Sequence, residues 1–274
     1  MPQIINNPTG GGTIGDKDFM MGISLGQLPG FKTVNLPGFI PDLDKNDDEQ
    51  LYWGYDGPYT RRTTETTTWI VSDDNTDVGI PVAVTGIGAD LTERFEVVVT
   101  NGRTPVQLVN QYMTINSSGI LPSGVIISPT PEAQGNIAIM STNDVDDGEP
   151  EEDEDVMHFI LQGDGFGRVC LYQIPKGFSA IVTAVHVTSP ERVSSHIYTV
   201  LPGGVPYKIF NLYGGAKKSG SGVAHYQPQP PAGVIDFFGQ TTPIFPEGSF
   251  LFINGKDWDE SSSEMFSSMQ LIVA

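Results

Sequence analysis

The chain has 274 residues, of which 38% are hydrophobic and 17% charged, with 32 glycines, 21 prolines and a net charge of −19. That mixture suits short strands joined by many turns and excludes a helical bundle or an α/β fold. The negative balance excludes nucleic acid and an anionic membrane surface as direct partners, because phosphate would be repelled. No apolar run approaches the ~18–20 residues needed to span a bilayer.

Residues 1–48 predict an extended N-terminal arm. The opening MPQIINNPTGGG has neither a basic n-region nor an apolar h-region, so no secretory signal is expected. Two similar phrases follow, Leu28-Pro29-Gly30-Phe31 and Leu36-Pro37-Gly38-Phe39, each with an apolar anchor on either side of a Pro-Gly turn. With Phe19, Met20, Met21, Leu25 and Ile40, the segment is too apolar for a linker. Two roles fit it: a strap along its own domain, or an arm on a neighbouring subunit. The arm is the expectation adopted, with Leu28, Phe31, Leu36, Phe39 and Ile40 as anchors, so that removing residues 1–45 should leave a folded chain unable to assemble.

Residues 49–143 predict a first antiparallel β-sandwich or jelly-roll-like domain, with strands at 51–55, 62–71, 80–85, 95–100, 106–115, 125–128 and 136–140 separated by Gly-rich or Asp/Asn-rich turns. Residues 144–155, DVDDGEPEEDED, repel themselves and read as an acidic linker or exposed loop. Residues 156–274 predict a second such domain. Its strands fall at 157–161, 167–173, 179–188, 195–201, 208–213, 222–226, 235–237, 249–255 and 263–273. In 169–188 two strands meet at the tight turn Pro175-Lys176-Gly177. Truncating the last strand should destabilise the domain.

Few residues suggest chemistry. His158, His186, His196 and His225 show no metal-binding or hydrolase spacing and read as structural. Cys170, the one cysteine, sits at an apolar strand position and reads as a buried inert thiol. Ser219-Gly220-Ser221 lies in a Gly/Lys-rich loop, not a nucleophile elbow. Gly163-Asp164-Gly165-Phe166-Gly167 leads into a strand, without the helix N-terminus of a dinucleotide site. No catalytic residue and no cofactor are expected. Asp73, Asp74, Asp77 and Asp90 are the metal candidates, as Ca²⁺ ligands; the competing reading is Asx-turn hydrogen bonding. The pair Asp144 and Asp146 before Gly148 slightly resembles a calcium loop without its helices. Trp53, Tyr55 and Tyr59, or His225 with Tyr226, would suit a carbohydrate platform or core packing.

Two sets of phrases, in their order, go further. The first is 71–79 (VSDDNTDVG), 80–86, 89–91 (ADL), 95–102, 104–106 (TPV) and 112–116 (YMTIN). The second is 171–183 (LYQIPKGFSAIVT), 243–248 (PIFPEG) and the closing strand 266–273. Together they resemble a family of virion structural proteins of marine tailed phages, especially short-tailed, T7-like bacteriophages. The resemblance spans roughly 65–273 in pieces and omits the arm and the acidic stretch. It implies a non-enzymatic particle component, made in the host bacterial cytoplasm and located in the virion. It would form a homo-oligomer with other virion proteins (tail, adaptor or capsid) as partners, either as a tail or head–tail ring or collar protein or as a capsid decoration protein. The alternative is a glycan-binding adhesin or receptor-binding module that uses the aromatics and the Asp-rich loops.

Overall fold

The computed structural model describes residues 28, 30–42, 48–121, 133–188, 193–214, 235–236, 243–257 and 264–274. The protein is all-β: β-branched and aromatic residues at period two build antiparallel strands, and the only helical element among the described residues is a short 3₁₀ turn at Asp153–Asp155.

The first sandwich pairs two sheets. In chain order its strands are β3 (Thr66–Ser72), β4 (Val78–Ile87), β5 (Glu93–Asn101), β6 (Val106–Tyr112), β7 (Thr114–Ile120), β8 (Ile137–Met140) and β11 (Val156–Ile160). One sheet has the order β5-β4-β7, the other β11-β8-β3-β6. Ile80, Val82, Val84, Val98, Ile115 and Ile120 of the former close on Ile70, Leu108, Tyr112, Ile137, Ile139 and Ile160 of the latter.

The second sandwich collects both ends of the chain. It comprises β1 (Lys32–Ile40), β2 (Gln50–Leu51), β12 (Leu171–Gln173), β13 (Ala180–Thr188), β14 (Val193–Val200), β15 (Tyr207–Gly214), β16 (Ile235–Asp236), β17 (Phe250–Asp257) and β18 (Met265–Val273). One sheet runs β1-β18-β13-β16; the other runs β12-β17-β14-β15, with β2 also pairing β17. Leu36, Ile40, Val182, Val185, Met269 and Leu271 meet Tyr172, Ile197, Leu251 and Ile253 between them, with Tyr52 and Cys170 in the same core.

A third apolar cluster joins the two sandwiches. Val71, Met140, Val156 and Phe159 pack with Leu51, Trp53, Leu171, Val200 and Phe250. Four sheets are therefore stacked in sequence, each sharing an apolar layer with the next. The two inner sheets are covered on both faces, which is why β8 (IAIM) and β11 (VMHFI) are buried at every position rather than alternately.

Several sequence expectations change. Residues 32–40 are not part of an arm: β1 pairs along its whole length with β18 of the same chain, from Lys32↔Val273 to Ile40↔Met265. Leu36 and Ile40 are buried in that core, so removal of residues 1–45 would take out a core strand. In the first Leu-Pro-Gly-Phe phrase, Phe31 N–H reaches back to the Leu28 carbonyl at 3.3 Å with Gly30 at φ +85. Leu36-Pro37-Gly38-Phe39 lies inside β1. There Pro37 is tolerated because β1 is an edge of its sheet.

The acidic stretch links no domains. It carries the hairpin β9 (Val145–Asp146) and β10 (Glu149–Pro150) and leads into β11, which pairs β8 of the first sandwich. The first sandwich thus runs on past residue 143 to 160, inserted between β2 and β12 of the second. Finally, the predicted strand at 106–115 divides into β6 and β7 in facing sheets, and the turn after Pro175 carries the chain from one sheet of the second sandwich to the other. The predicted strands at 125–128 and 222–226 lie outside the described residues.

Candidate functional site

Residues 48–61 cross the seam between the sandwiches and, with β14 and β17, enclose a groove of about 440 Å³. Its apolar wall is Tyr59, Phe250, Phe252 and Val200; its polar rim is Asp48, Glu49, Arg61 and Asn254. Tyr59 stacks on Phe250 at 6.1 Å and 15°, and the Arg61 guanidinium lies 5.6 Å from the Phe250 ring centroid. The buried Asn254 Oδ1 has no hydrogen-bond partner among the described residues.

Beside the groove, Glu49 gathers three polar side chains from the second sandwich. Tyr198 donates its hydroxyl to Glu49 Oε2 at 2.5 Å, Lys208 Nζ donates to Oε1 at 3.4 Å, and His196 Nδ1 stands 2.9 Å from Oε1. That last approach is off-line, leaving the ring nitrogen without a well-directed bond. Burial works to raise the Glu49 pKa, but Tyr198, His196 and Lys208 together hold it below the ordinary carboxylate value. Burial, aided by Lys208 and Lys256, holds the His196 ring below its usual pKa in spite of Glu49. Burial and Glu49 raise the Tyr198 phenol. The cluster thus holds an ionised carboxylate among a phenol, an ammonium and an imidazole at the edge of the groove.

The sequence-predicted aromatics sit at this seam, but not as an exposed platform. Trp53 is fully buried and donates Nε1–H to the Gly57 carbonyl at 3.1 Å. Tyr55 and Tyr59 meet it edge-on, each at 5.2 Å, and Tyr55 donates its hydroxyl to Asp153. Only Tyr59 reaches the groove. His225 and Tyr226, with Ser219 and Ser221, lie outside the described residues.

The calcium candidates are not brought together. Asp77 is buried and accepts from Gln134 N–H at 2.9 Å, Gly135 N–H at 3.0 Å and Ser72 Oγ at 2.7 Å. Asp73 accepts from Asn136 N–H and Nδ2, both at 2.8 Å. Asp74 and Asp90 close Asx turns onto Thr76 and Thr92. Among the described residues no three His, Cys, Asp or Glu side chains converge as a metal site.

The remaining candidates have structural surroundings. His158 is buried with Nδ1 3.0 Å from Ser118 Oγ, and His186 is exposed on β13. Cys170 is buried, its thiol pushed up to about 12 by burial. Residues 165–167 extend the β7 edge, with Ile120 N–H on the Gly165 carbonyl and Gly167 N–H on the Ser118 carbonyl. Of the arm anchors, Leu36 and Ile40 are core, Phe39 lies half-buried 4.7 Å from Phe266, and Leu28 and Phe31 flank the entry to β1.

Glu49, Tyr198 and Lys208 were not singled out by sequence. They come from a polar connection and two strands about 150 residues later (|i−j| 149 for Glu49 and Tyr198), so no local spacing records their meeting.

No family profile matches the chain, and neither does any curated protein. Among solved structures, one of infectious bursal disease virus, Gt strain, aligns over 93% of this chain and 77% of that chain with 10% identity and a TM-score of 0.18. The VP2 subviral particle of the same virus aligns over 93% and 81% with 9% identity and a TM-score of 0.14. Likeness at that level carries no argument about fold or function.

Proposed function

We propose that the protein is a non-enzymatic structural subunit of a tailed-bacteriophage virion, made in the host cytoplasm and assembling as a homo-oligomer with other virion proteins. A ring or collar station in the tail or head–tail region is preferred to capsid decoration. The phrases at 71–116 and 171–183 supply the particle, through their resemblance to the short-tailed marine phage family. The observation that carries a structural role is the apolar seam of Trp53, Val71, Met140, Phe159, Leu171 and Phe250. Domains joined by a polar, hydrated contact move against one another, whereas a continuous apolar layer makes two sandwiches one body that bears load. Sedimentation and negative-stain electron microscopy of the purified chain test this: closed rings or defined oligomers at micromolar concentration are expected. A monomer at every concentration that also fails to join tails or capsids would overturn it.

The groove favours a second reading, a glycan-binding module. An aromatic wall beside the Arg61 guanidinium and the Asp48 and Glu49 carboxylates offers a sugar ring an apolar face and both hydrogen-bonding senses. Glycan-array binding that disappears in Arg61→Ala and Phe252→Ala, in a protein that sediments as a monomer, would move the assignment there.

A further inference from the structure

Strand β5 is turned inside out. Phe95, Val97 and Val99 alternate along its outward face and are 62%, 46% and 50% exposed. Arg94 and Glu96, half-buried on the other face, serve the neighbouring strand β6. Arg94 Nη1 donates to the Gln111 carbonyl at 2.6 Å, and Glu96 accepts the N–H groups of Val109 and Asn110. Opposite the three apolar residues, β4 presents Thr85, Ala83 and Pro81. Between Glu93 at its head and Asn101 at its end, the outward face of β5 is therefore an apolar, uncharged stripe on a chain of net charge −19. Scattered exposed hydrophobics are ordinary; a contiguous stripe on an alternating strand marks a surface that is normally covered.

The dimensions identify the kind of cover. Side chains at i, i+2 and i+4 span about 13 Å, one strand wide. A stable interface between globular partners buries roughly 800 Å² on each side, so the stripe is too narrow for a second copy docked face to face and fits a single extended segment. The chain's own N-terminal side starts next to it. Lys32, at the head of β1, pairs through Nζ with Glu93 at 3.0 and 3.1 Å, at the head of β5. The bond from Phe31 N–H to the Leu28 carbonyl lies immediately before Lys32. Residues 19–27, FMMGISLGQ, carry no charge and set Phe19, Met21, Ile23 and Leu25 at alternate positions. We propose that residues 19–27 cover the Phe95–Val97–Val99 stripe of the same chain. This goes beyond the virion reading and stands without it.

Thiol labelling of the full chain tests the proposal, because the native Cys170 is buried. A Val97→Cys thiol is expected to react about tenfold more slowly than a Val109→Cys thiol at a 93% exposed position. The protection should vanish in the Ile23→Asp/Leu25→Asp background and persist on about hundredfold dilution. Equal labelling at positions 97 and 109 overturns the proposal, as does protection indifferent to the Asp substitutions. Protection lost on dilution overturns it too, by assigning the cover to a second copy.

Discussion

Glu96 accepts the Tyr112 hydroxyl at 2.9 Å and, with the same carboxylate, the backbone N–H groups of Val109 at 2.8 Å and Asn110 at 3.0 Å. A side chain from β5 thereby occupies the free edge of β6, where unpaired donors would otherwise invite another strand. The same contact orients β5: with Glu96 turned to that edge, period two sends Val97 outward. Glu96→Ala leaves three donors without their acceptor, one of them on the fully buried Tyr112. It is expected to cost about 2–3 kcal/mol in urea unfolding, with Glu96→Gln, which keeps one acceptor oxygen, losing less. Equal stability of Glu96→Ala and wild type would refute this account of the edge.

Gly38 and Gly165 form a contrasting pair. A Cβ at Gly38 would stand 2.6 Å from the Cβ atoms of Cys170 and Tyr52 and from Ser267 Oγ. Tyr52 cannot retreat, since its hydroxyl bonds Ser195 Oγ at 2.6 Å and its backbone N–H bonds the Ile253 carbonyl at 3.1 Å. A Cβ at Gly165 meets nothing within 4 Å. Gly38→Ala should therefore destabilise by about 2–3 kcal/mol, while Gly165→Ala stays within about 0.5 kcal/mol. If Gly38→Ala melts with the wild type, β1 is not seated in this core.

What the sequence made legible was alternation, and what it left hidden was partnership. Ile80, Val82 and Val84, or Met269 and Leu271, reveal a strand with a buried face by local spacing alone. The pairing of Ile40 with Met265 has no local trace, so β1 read as an arm. Val156 and Phe159 stay in the first sandwich because they pair Met140 and Ala138, across an acidic run that composition marks as a boundary. One local signal does mark that run as structured: Asp147-Gly148, with φ of 50 and 92, is the Asp-Gly turn that joins short antiparallel strands. Period two says that Phe95, Val97 and Val99 share a face, but not which way that face points. The groove was hidden for the same reason as β1, since Glu49 meets Tyr198 only through the tertiary fold.

Asp77 should behave as a fold residue, not as a cation ligand. Each of its oxygens is taken by an internal donor, and the side chain is buried. Asp77→Asn turns one acceptor into a donor facing N–H or hydroxyl groups and is expected to cost about 2–4 kcal/mol. The melting temperature of the wild type should be the same in millimolar calcium and in chelator. A calcium-dependent rise in melting temperature that Asp77→Asn abolishes would return this turn to the metal-binding reading.

Stability should decline as pH falls from neutrality, and His158 sets much of that limb. The ring is buried, with Nδ1 on Ser118 Oγ and Nε2 unpartnered, and burial lowers its pKa from 6.5 to about 3. Below pH 6.5 the unfolded chain therefore binds a proton that the folded chain refuses. This contribution is whole above pH 6.5, shrinks as pH drops, and levels off near pH 3; by pH 5 the loss is about 2 kcal/mol. His196, also lowered, adds in the same direction. Glu49, Asp74 and Asp90 have lowered pKa values and lose their contributions only at more acidic pH, so they do not shape the window from pH 6.5 to 5. Urea unfolding across that window should show a slope that falls by about one proton in His158→Asn, whatever the variant's absolute stability. An unchanged slope would mean that His158 takes up its proton in the folded state, against its burial.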